Sequence, residues 1–256
     1  MSAPLLQADQ LTVRFGGLTA VNNVSFTVQE GEIFTLIGPN GAGKTTTFNL
    51  INGLYRPSSG QIRFRGEAIS HLPPDRIAAR GIARTFQNIE LFEHATVLQN
   101  LLIGRHTRRR TRLWQELLFT PSTRRAELAF REEIEKVIDL LDLQHYRDSL
   151  VAGLPYGARK VVELARALCM QPQLLLLDEP SSGLNTEETD DMAFWIEDIR
   201  NLGVTIIMVE HDMTLVGRVS DRVLALNYGE VLATGSAAEV QADPAVIEAY
   251  LGGVTV

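Results

Sequence analysis

Residues 38–45 read GPNGAGKT, and this stretch decides how the whole chain is interpreted. It matches the spacing G-x-x-x-x-G-K-[ST], which occurs where a glycine-rich loop leads from a strand into a helix. The flanks provide that setting, because residues 33–37 form an apolar run typical of a buried strand and a helical pattern covers about 43–52. We therefore predict a loop whose backbone holds the phosphate groups of a nucleotide.

The residue types in this loop suit phosphate chemistry. Glycines let the backbone curl until successive N–H groups point at phosphate oxygens, and the helix N-terminus adds the positive end of its dipole. The mobile charge of Lys44 can reach the β- and γ-phosphates, and the hydroxyl of Thr45 can coordinate Mg²⁺. The predicted nucleotide contacts in and after the loop are Gly38, Asn40, Gly41, Ala42, Gly43, Lys44, Thr45 and Thr46.

A second motif, LLLLDE at residues 174–179, supplies two acidic groups. Its apolar residues predict a buried strand ending in Asp178, at the carboxyl edge where open α/β sheets bind ligands. Asp178 is the candidate for holding Mg²⁺ through water. Glu179 is the candidate for orienting or deprotonating the water that attacks the phosphate.

The rest of the chain alternates apolar strands with helical segments. Residues 8–28 alternate apolar and polar positions, which predicts two strands of a partly solvated antiparallel sheet. Capping-box patterns predict helix starts at Asn185, followed by Glu188, and at Ser236, followed by Glu239. The other predicted elements are strands at 60–64, 204–209, 221–226 and 230–233, a short helix beginning at 73–75, a mainly helical stretch over about 95–170 and a helix over about 186–201. This order predicts an α/β fold with a mainly parallel sheet.

Composition and charge exclude several classes of protein. The chain has 256 residues, with 24 Lys and Arg against 31 Asp and Glu, and a formal net charge of −7. Such an acidic chain is a poor match for sequence-independent binding of nucleic acid. Its one cysteine, Cys169, excludes an intrachain disulfide and a cysteine-based zinc site. The densest apolar runs, 174–177 and 204–209, are far shorter than the ~20 residues of a spanning helix, so we expect no membrane crossing.

Five further motifs accompany the phosphate loop and the acid pair. They are Phe15 ahead of the loop, Gln87 in RTFQ, LPYGAR at 154–159, PSSGLN at 180–185, and His211 in VEHD. On these motifs, taken in order, the sequence resembles the ATP-binding subunits of ABC transporters over nearly its whole length.

The resemblance implies both a fold and residue roles. It implies a P-loop NTPase core with a mainly parallel sheet, an N-terminal antiparallel β-subdomain and a helical subdomain inserted at about 88–160, all within one nucleotide-binding domain over 1–256. It also implies that Phe15 stacks on adenine and that His211 senses the γ-phosphate. Gln87 is implied to bind Mg²⁺ or its water and, with His211, to join the catalytic residues.

The segment 154–158 departs from the family signature LSGGQ. Leu154 and Gly157 match, whereas Pro155, Tyr156 and Ala158 stand where the family carries Ser, Gly and Gln. Pro155 has neither a hydroxyl nor an N–H and cannot hydrogen-bond a γ-phosphate. Proline does suit a helix N-terminus, so we expect the helix dipole to face the ATP of a partner subunit. Full catalytic competence of that composite site stays open.

The resemblance also implies partners. Two ATPase domains pack head to tail with ATP between them; closure drives transmembrane permease subunits, and hydrolysis reopens the dimer. The implied cofactors are ATP and Mg²⁺. The implied partners are the permeases, a second ATPase subunit in a heterodimer or homodimer and, indirectly, a solute-binding protein, with no nucleic acid. The implied location is peripheral, on the cytoplasmic face of the plasma (inner) membrane.

Several local phrases resemble one branch of the family, the larger-insert ATPase of branched-chain (hydrophobic) amino acid importers. They are VRFGGL at 13–18, RTFQN at 84–88, GLN at 183–185, VEHDM at 209–213 and VIEAYLG at 246–252. Similar ATPases serve importers of urea, amides or aromatic acids, and an ABC exporter stays open. A non-transport ABC ATPase is disfavoured, because the chain has one phosphate loop and no long coiled coil.

An arginine-rich segment has two interpretations. Between residues 105 and 131 the chain carries arginines at 105, 108, 109, 110, 112, 124, 125 and 131. We favour a solvated helical face, which is the usual role of a charge run. The alternative is a basic surface for anionic lipid headgroups or an acidic partner loop.

Overall fold

The computed structural model describes residues 3–85, 89–106 and 121–251. The chain forms two compact units, one made of Met1–Arg84 with Gln173–Val256 and the other of Thr85–Pro172. The described strands are β1 (Leu6–Phe15), β2 (Leu18–Val28), β3 (Ile33–Ile37), β4 (Ser59–Phe64), β5 (Glu67–Ala68), β6 (Ile82–Arg84), β7 (Leu174–Asp178), β8 (Thr205–Val209), β9 (Arg222–Asn227) and β10 (Glu230–Gly235). The described α-helices are α1 (Lys44–Ile51), α2 (Pro74–Ala79), α3 (Val97–His106), α4 (Pro121–Leu140), α5 (Tyr156–Leu168), α6 (Thr186–Asn201), α7 (Met213–Val219), α8 (Ala237–Ala242) and α9 (Pro244–Leu251), and two short 3-10 helices cover Gln144–Tyr146 and Val151–Gly153.

The N-terminal strands form an antiparallel sheet in the order β2-β1-β4-β5. Strand β1 pairs with β2 from Leu6↔Val28 to Phe15↔Leu18, so the chain reverses at Gly16-Gly17. The predicted pair of antiparallel strands within residues 8–28 is confirmed. Phe15 consequently lies at the end of β1, beside this reversal.

The second sheet is mainly parallel, with the strand order β10-β9-β3-β8-β7-β6. Parallel pairing joins β3 to β8 and β9, and β7 to β6 and β8, while β10 is an antiparallel edge strand. The predicted α/β fold class, with one antiparallel and one mainly parallel sheet, is confirmed. Because β3, β7 and β8 are neighbours and parallel, their carboxyl ends open on one edge of the sheet.

Two apolar layers cover opposite faces of this sheet. On one face Phe34 and Leu36 of β3 belong to a core shared with the antiparallel sheet and with Phe48 of α1. On the other face Ile37 of β3 and Val223 of β9 pack with α7, α8 and α9. Burial on both faces explains why β3, β7 and β8 read as continuous apolar runs rather than alternating ones.

The unit Thr85–Pro172 is mainly helical. Ile134, Ile138 and Leu141 are buried at the predicted helical spacing along and just after α4. Arg147 donates from Nε to Glu135 Oε1 at 3.0 Å, and this hydrogen bond holds the pKa of Glu135 below its ordinary value. No helix within the described ranges of either unit is long and apolar enough to cross a membrane.

Candidate functional site

The phosphate loop lies between β3 and α1, where two glycines are required by close backbone contacts. Gly38 has φ +147°, and a Cβ there would lie 2.2 Å from the carbonyl oxygen of Leu226. Gly43, at φ +102°, would place a Cβ 2.6 Å from the carbonyl oxygen of Ala20. A side chain at either position would displace backbone, which explains these glycines without reference to a ligand.

Lys44 begins α1 and turns its ammonium group back onto the loop. Its Nζ donates to the carbonyl oxygens of Gly38 at 2.6 Å and Pro39 at 3.0 Å. Burial lowers the pKa of Lys44 below its ordinary value, while the charges of Glu179 and Asp178 oppose that shift. A phosphate entering the loop would replace neutral carbonyl oxygens with charged acceptors, which form stronger hydrogen bonds to ammonium.

The other loop residues differ in exposure. Asn40, Gly41 and Thr45 are exposed, and Thr46 is half-buried. Ala42 is buried. Thr45, in the first turn of α1, is exposed, and its predicted role in holding Mg²⁺ stays a prediction.

Asp178, the last residue of β7, is buried against an arginine of the neighbouring strand. Arg84, which ends β6, donates from Nη2 to Asp178 Oδ2 at 2.6 Å and from Nη1 to Asn49 Oδ1 at 2.6 Å. The guanidinium also lies 5.5 Å from the ring centroid of Phe48. Arg84 therefore fixes the orientation of the candidate metal-holding carboxylate.

Glu179 and His211 meet beyond the ends of two adjacent strands. The last register pair of β7 and β8 is Asp178↔Val209, and the Glu179 N–H donates to the Val209 carbonyl at 2.9 Å. The side chains of Glu179 and His211 are in contact, with Glu179 Oε1 3.0 Å from His211 Nε2. The φ of Glu179 is 51°, a left-handed conformation that costs energy in a residue other than glycine and that surrounding structure must hold.

Phe15 lies in an aromatic pair at the end of β1. Its ring centroid is 5.1 Å from that of Tyr55, in an edge-to-face arrangement. Phe15 is 45% exposed and Tyr55 is 39% exposed, so each ring keeps an open surface. An exposed aromatic face is what stacking on a nucleotide base requires.

The signature-like segment lies in the helical unit Thr85–Pro172. Pro155 is the N-cap of α5, which begins at Tyr156, so the predicted proline at a helix N-terminus is confirmed. Leu154 and Gly157 are buried, Ala158 is half-buried and Tyr156 is 48% exposed. The two residues that match the family signature therefore face the protein interior.

Gln87 and most of the arginine-rich segment lie outside the described residues. The structure describes nothing of residues 86–88 and 107–120, and no side chain of 121–127. The roles predicted for these positions stay predictions.

Three residues near the site were not singled out in the sequence. Besides Arg84, these are Glu210, which accepts backbone hydrogen bonds, and Tyr250 of α9, whose hydroxyl accepts from the Gly38 N–H at 2.8 Å. Each acts through a contact between segments far apart in the chain. Glu210 lies in the motif VEHD, but the resemblance to the family rests on its neighbour His211, so the sequence alone assigned Glu210 no role.

A phosphate loop, an acid pair at the end of a neighbouring parallel strand and a histidine beside the second acid define a P-loop nucleoside triphosphatase. The ABC transporter family model matches residues 21–182, and the model of the branched-chain amino acid ATP-binding cassette transporter matches residues 230–255. The chain belongs to the ABC transporter ATP-binding family.

Relatives and solved structures agree with this assignment. The chain is 44% identical over 253 residues to the high-affinity branched-chain amino acid transport ATP-binding protein LivG of Salmonella typhimurium, covering 98% of this chain and 99% of LivG. It is 42% identical over 253 residues to BraF of Pseudomonas aeruginosa, which has the same descriptive name, with the same coverage. The ADP conformation of MJ1267, an ATP-binding cassette of an ABC transporter, superposes with a TM-score of 0.85 at 28% identity, covering 98% of this chain and 100% of that one.

Proposed function

We propose that this chain is the ATP-hydrolysing subunit of an importer for branched-chain amino acids. The observation that carries this proposal is the match of residues 230–255 to the branched-chain amino acid transporter model, in addition to the general ABC match. The full-length likeness to LivG and BraF supports it, because both are named for this transport.

In the proposed reaction each part of the site has a defined role. The backbone N–H groups of the loop and Lys44 hold the β- and γ-phosphates. Glu179 orients the attacking water and accepts its proton, and His211, in contact with Glu179, orients that carboxylate and contacts the γ-phosphate. Phe15 stacks on the adenine ring.

The donor set fits Mg²⁺. Thr45 offers a hydroxyl and Asp178 a carboxylate, and hard oxygen ligands of this kind suit that ion. Within the described ranges no group of three or more His, Cys, Asp or Glu side chains is placed to hold a metal ion. Mg²⁺ is usually bound by few carboxylates together with waters and substrate phosphates, so this is the donor set expected. We assign Thr45, Asp178 through water, and Gln87 to the ion, which would neutralise phosphate charge.

The proposal extends to the assembly. We assign the chain to a single ABC domain over residues 1–256 with a helical subdomain inserted near 88–160, a range that lies within the helical unit Thr85–Pro172. Two ATPase subunits, favoured as a heterodimer, enclose ATP, and residues 154–158 contact the ATP held by the partner. Permease subunits couple this closure to transport, a solute-binding protein delivers the amino acid, and the chain sits peripherally on the cytoplasmic face of the inner membrane.

Purification of the tagged chain from its native membranes tests this proposal. We expect two different permeases and a second ATPase to copurify after mild detergent extraction. Recovery of two copies of this chain with a single kind of permease would replace the heterodimer by a homodimer. Recovery of the chain without any integral membrane protein would contradict the transport role itself.

A further inference from the structure

A buried carboxylate lies one residue before His211 and has no task in the mechanism above. Glu210 follows β8 directly and is 2% exposed. Its Oε1 accepts a hydrogen bond from the Ser181 N–H at 2.8 Å. Its Oε2 accepts from the N–H groups of His211 at 2.7 Å and Asp212 at 3.2 Å.

This carboxylate joins the two loops that carry Glu179 and His211. The ladder between β7 and β8 ends at Asp178↔Val209, with one further backbone hydrogen bond from the Glu179 N–H to the Val209 carbonyl. Ser181 lies two residues beyond Glu179, and its N–H is bound to the opposite loop by Glu210. The same carboxylate holds the backbone of His211 itself.

The conformation of Glu179 explains why the site needs the link that Glu210 makes between the two loops. At φ 51° Glu179 occupies a strained region, and the turn after it closes with the Ser182 N–H donating to the Glu179 carbonyl at 3.2 Å. A strained residue keeps its conformation only where its neighbours are fixed. Glu210 binds the backbone N–H of Ser181, which lies inside that turn, two residues beyond Glu179.

We propose that Glu210 is a positioning residue that keeps the Glu179 carboxylate and the His211 imidazole aligned for hydrolysis. It acts through the backbone of Ser181 and His211. The inference rests on the proposed ATPase function, and it assigns Glu210 a role in that function.

Replacing Glu210 by glutamine tests this with almost no change in size. A carboxylate accepts at both oxygens, but an amide accepts at one side only and presents N–H groups at the other. In either orientation one of the two loops therefore meets a donor instead of an acceptor. The matched control is Glu239→Gln, since Glu239 also accepts a backbone N–H, from Ser236, but in the exposed capping box of α8.

The measurement is steady-state ATP hydrolysis by the purified transporter complex. We expect Glu210→Gln to lower kcat by about 10-fold or more, the loss that one charge-assisted buried hydrogen bond corresponds to. KM for ATP should stay close to that of Glu239→Gln. In a His211→Ala background, Glu210→Gln should cost clearly less than 10-fold, because residues acting through each other are non-additive.

Two results would overturn the proposal. One is a kcat within about 2-fold of the control. The other is a loss of kcat accompanied by an equal loss of ATP affinity, which is what a general distortion of the site produces. If the glutamine variant does not fold, Glu210→Asp decides in its place: a reduced kcat at unchanged KM supports positioning, because the shorter carboxylate cannot span both loops, and an unchanged kcat overturns it. A wild-type complex without ATPase activity would instead refute the proposed function.

Discussion

At the scale of single residues, the site combines a buried cation with buried carboxylates. Lys44 is 6% exposed and Asp178 is 3% exposed. Buried charges need partners, and Asp178 has one in Arg84, whereas Lys44 donates to the neutral carbonyl oxygens of Gly38 and Pro39. A bound phosphate would therefore supply the anionic partner that suits this lysine.

Lys44→Ala should weaken nucleotide binding by at least about 10-fold, because the charge and its hydrogen bonds to phosphate are lost together. A fluorescent-nucleotide titration measures this. Lys136→Ala, which removes an exposed lysine in the helical unit, is the control and should bind nucleotide as the wild type does. Equal affinity of the two variants would contradict the role assigned to Lys44.

Arg84→Met should destabilise the fold by about 3–5 kcal/mol, because it leaves Asp178 as a buried carboxylate without its charged partner. Urea unfolding of the full chain measures this free energy. The matched control is Arg65→Met, which breaks the exposed pair with Glu30 and should cost below about 1 kcal/mol. If both variants unfold at the same urea concentration, Arg84 does not stabilise Asp178 as described.

At the scale of elements, the C-terminal helix α9 reaches the phosphate loop. Tyr250 packs on the apolar layer that contains Ile37, and its hydroxyl accepts from the N–H of Gly38. Burial raises the pKa of Tyr250 above its ordinary value. Tyr250 also lies inside the segment 230–255 that matches the branched-chain transporter model.

Tyr250→Phe should weaken ATP binding several-fold while preserving the packing of α9, because the Gly38 N–H loses its acceptor at the start of the loop. Isothermal titration with ATP measures the change. Tyr228→Phe removes an equivalent hydroxyl from a residue that is 85% exposed and should leave affinity unchanged. Wild-type affinity in Tyr250→Phe would show that α9 does not influence the loop.

Local sequence patterns predicted most elements correctly, and the exceptions have physical reasons. The capping box of Asn185 with Glu188 is present at the start of α6, since its hydrogen bonds depend on four consecutive residues alone. Strand β6 was not predicted, because three residues are too few to show a period. Its last residue, Arg84, pairs with Asp178, and such long-range contacts leave no local pattern. Motif positions were therefore predictable, whereas the residues that hold them in place were not.

At the scale of the whole molecule, the chain combines an ATPase core with a separate helical unit. The phosphate loop and the acid pair lie in one unit, and the signature-like segment lies in the other. A head-to-tail dimer would give each segment a partner, which is why we propose a second ATPase subunit. None of the helices in the described ranges has the length and apolar character of a membrane span.

Leucine uptake tests the central claim most directly. The complete copurified transporter is reconstituted in proteoliposomes, with its solute-binding protein on the substrate side and ATP on the other side. We expect these vesicles to accumulate radiolabelled leucine. The same vesicles with Glu179→Gln should stay near background although the variant still binds ATP, because the carboxylate that activates water is gone. Undiminished uptake with Glu179→Gln would contradict the catalytic assignment, and wild-type vesicles that take up no leucine would contradict the proposed transport function.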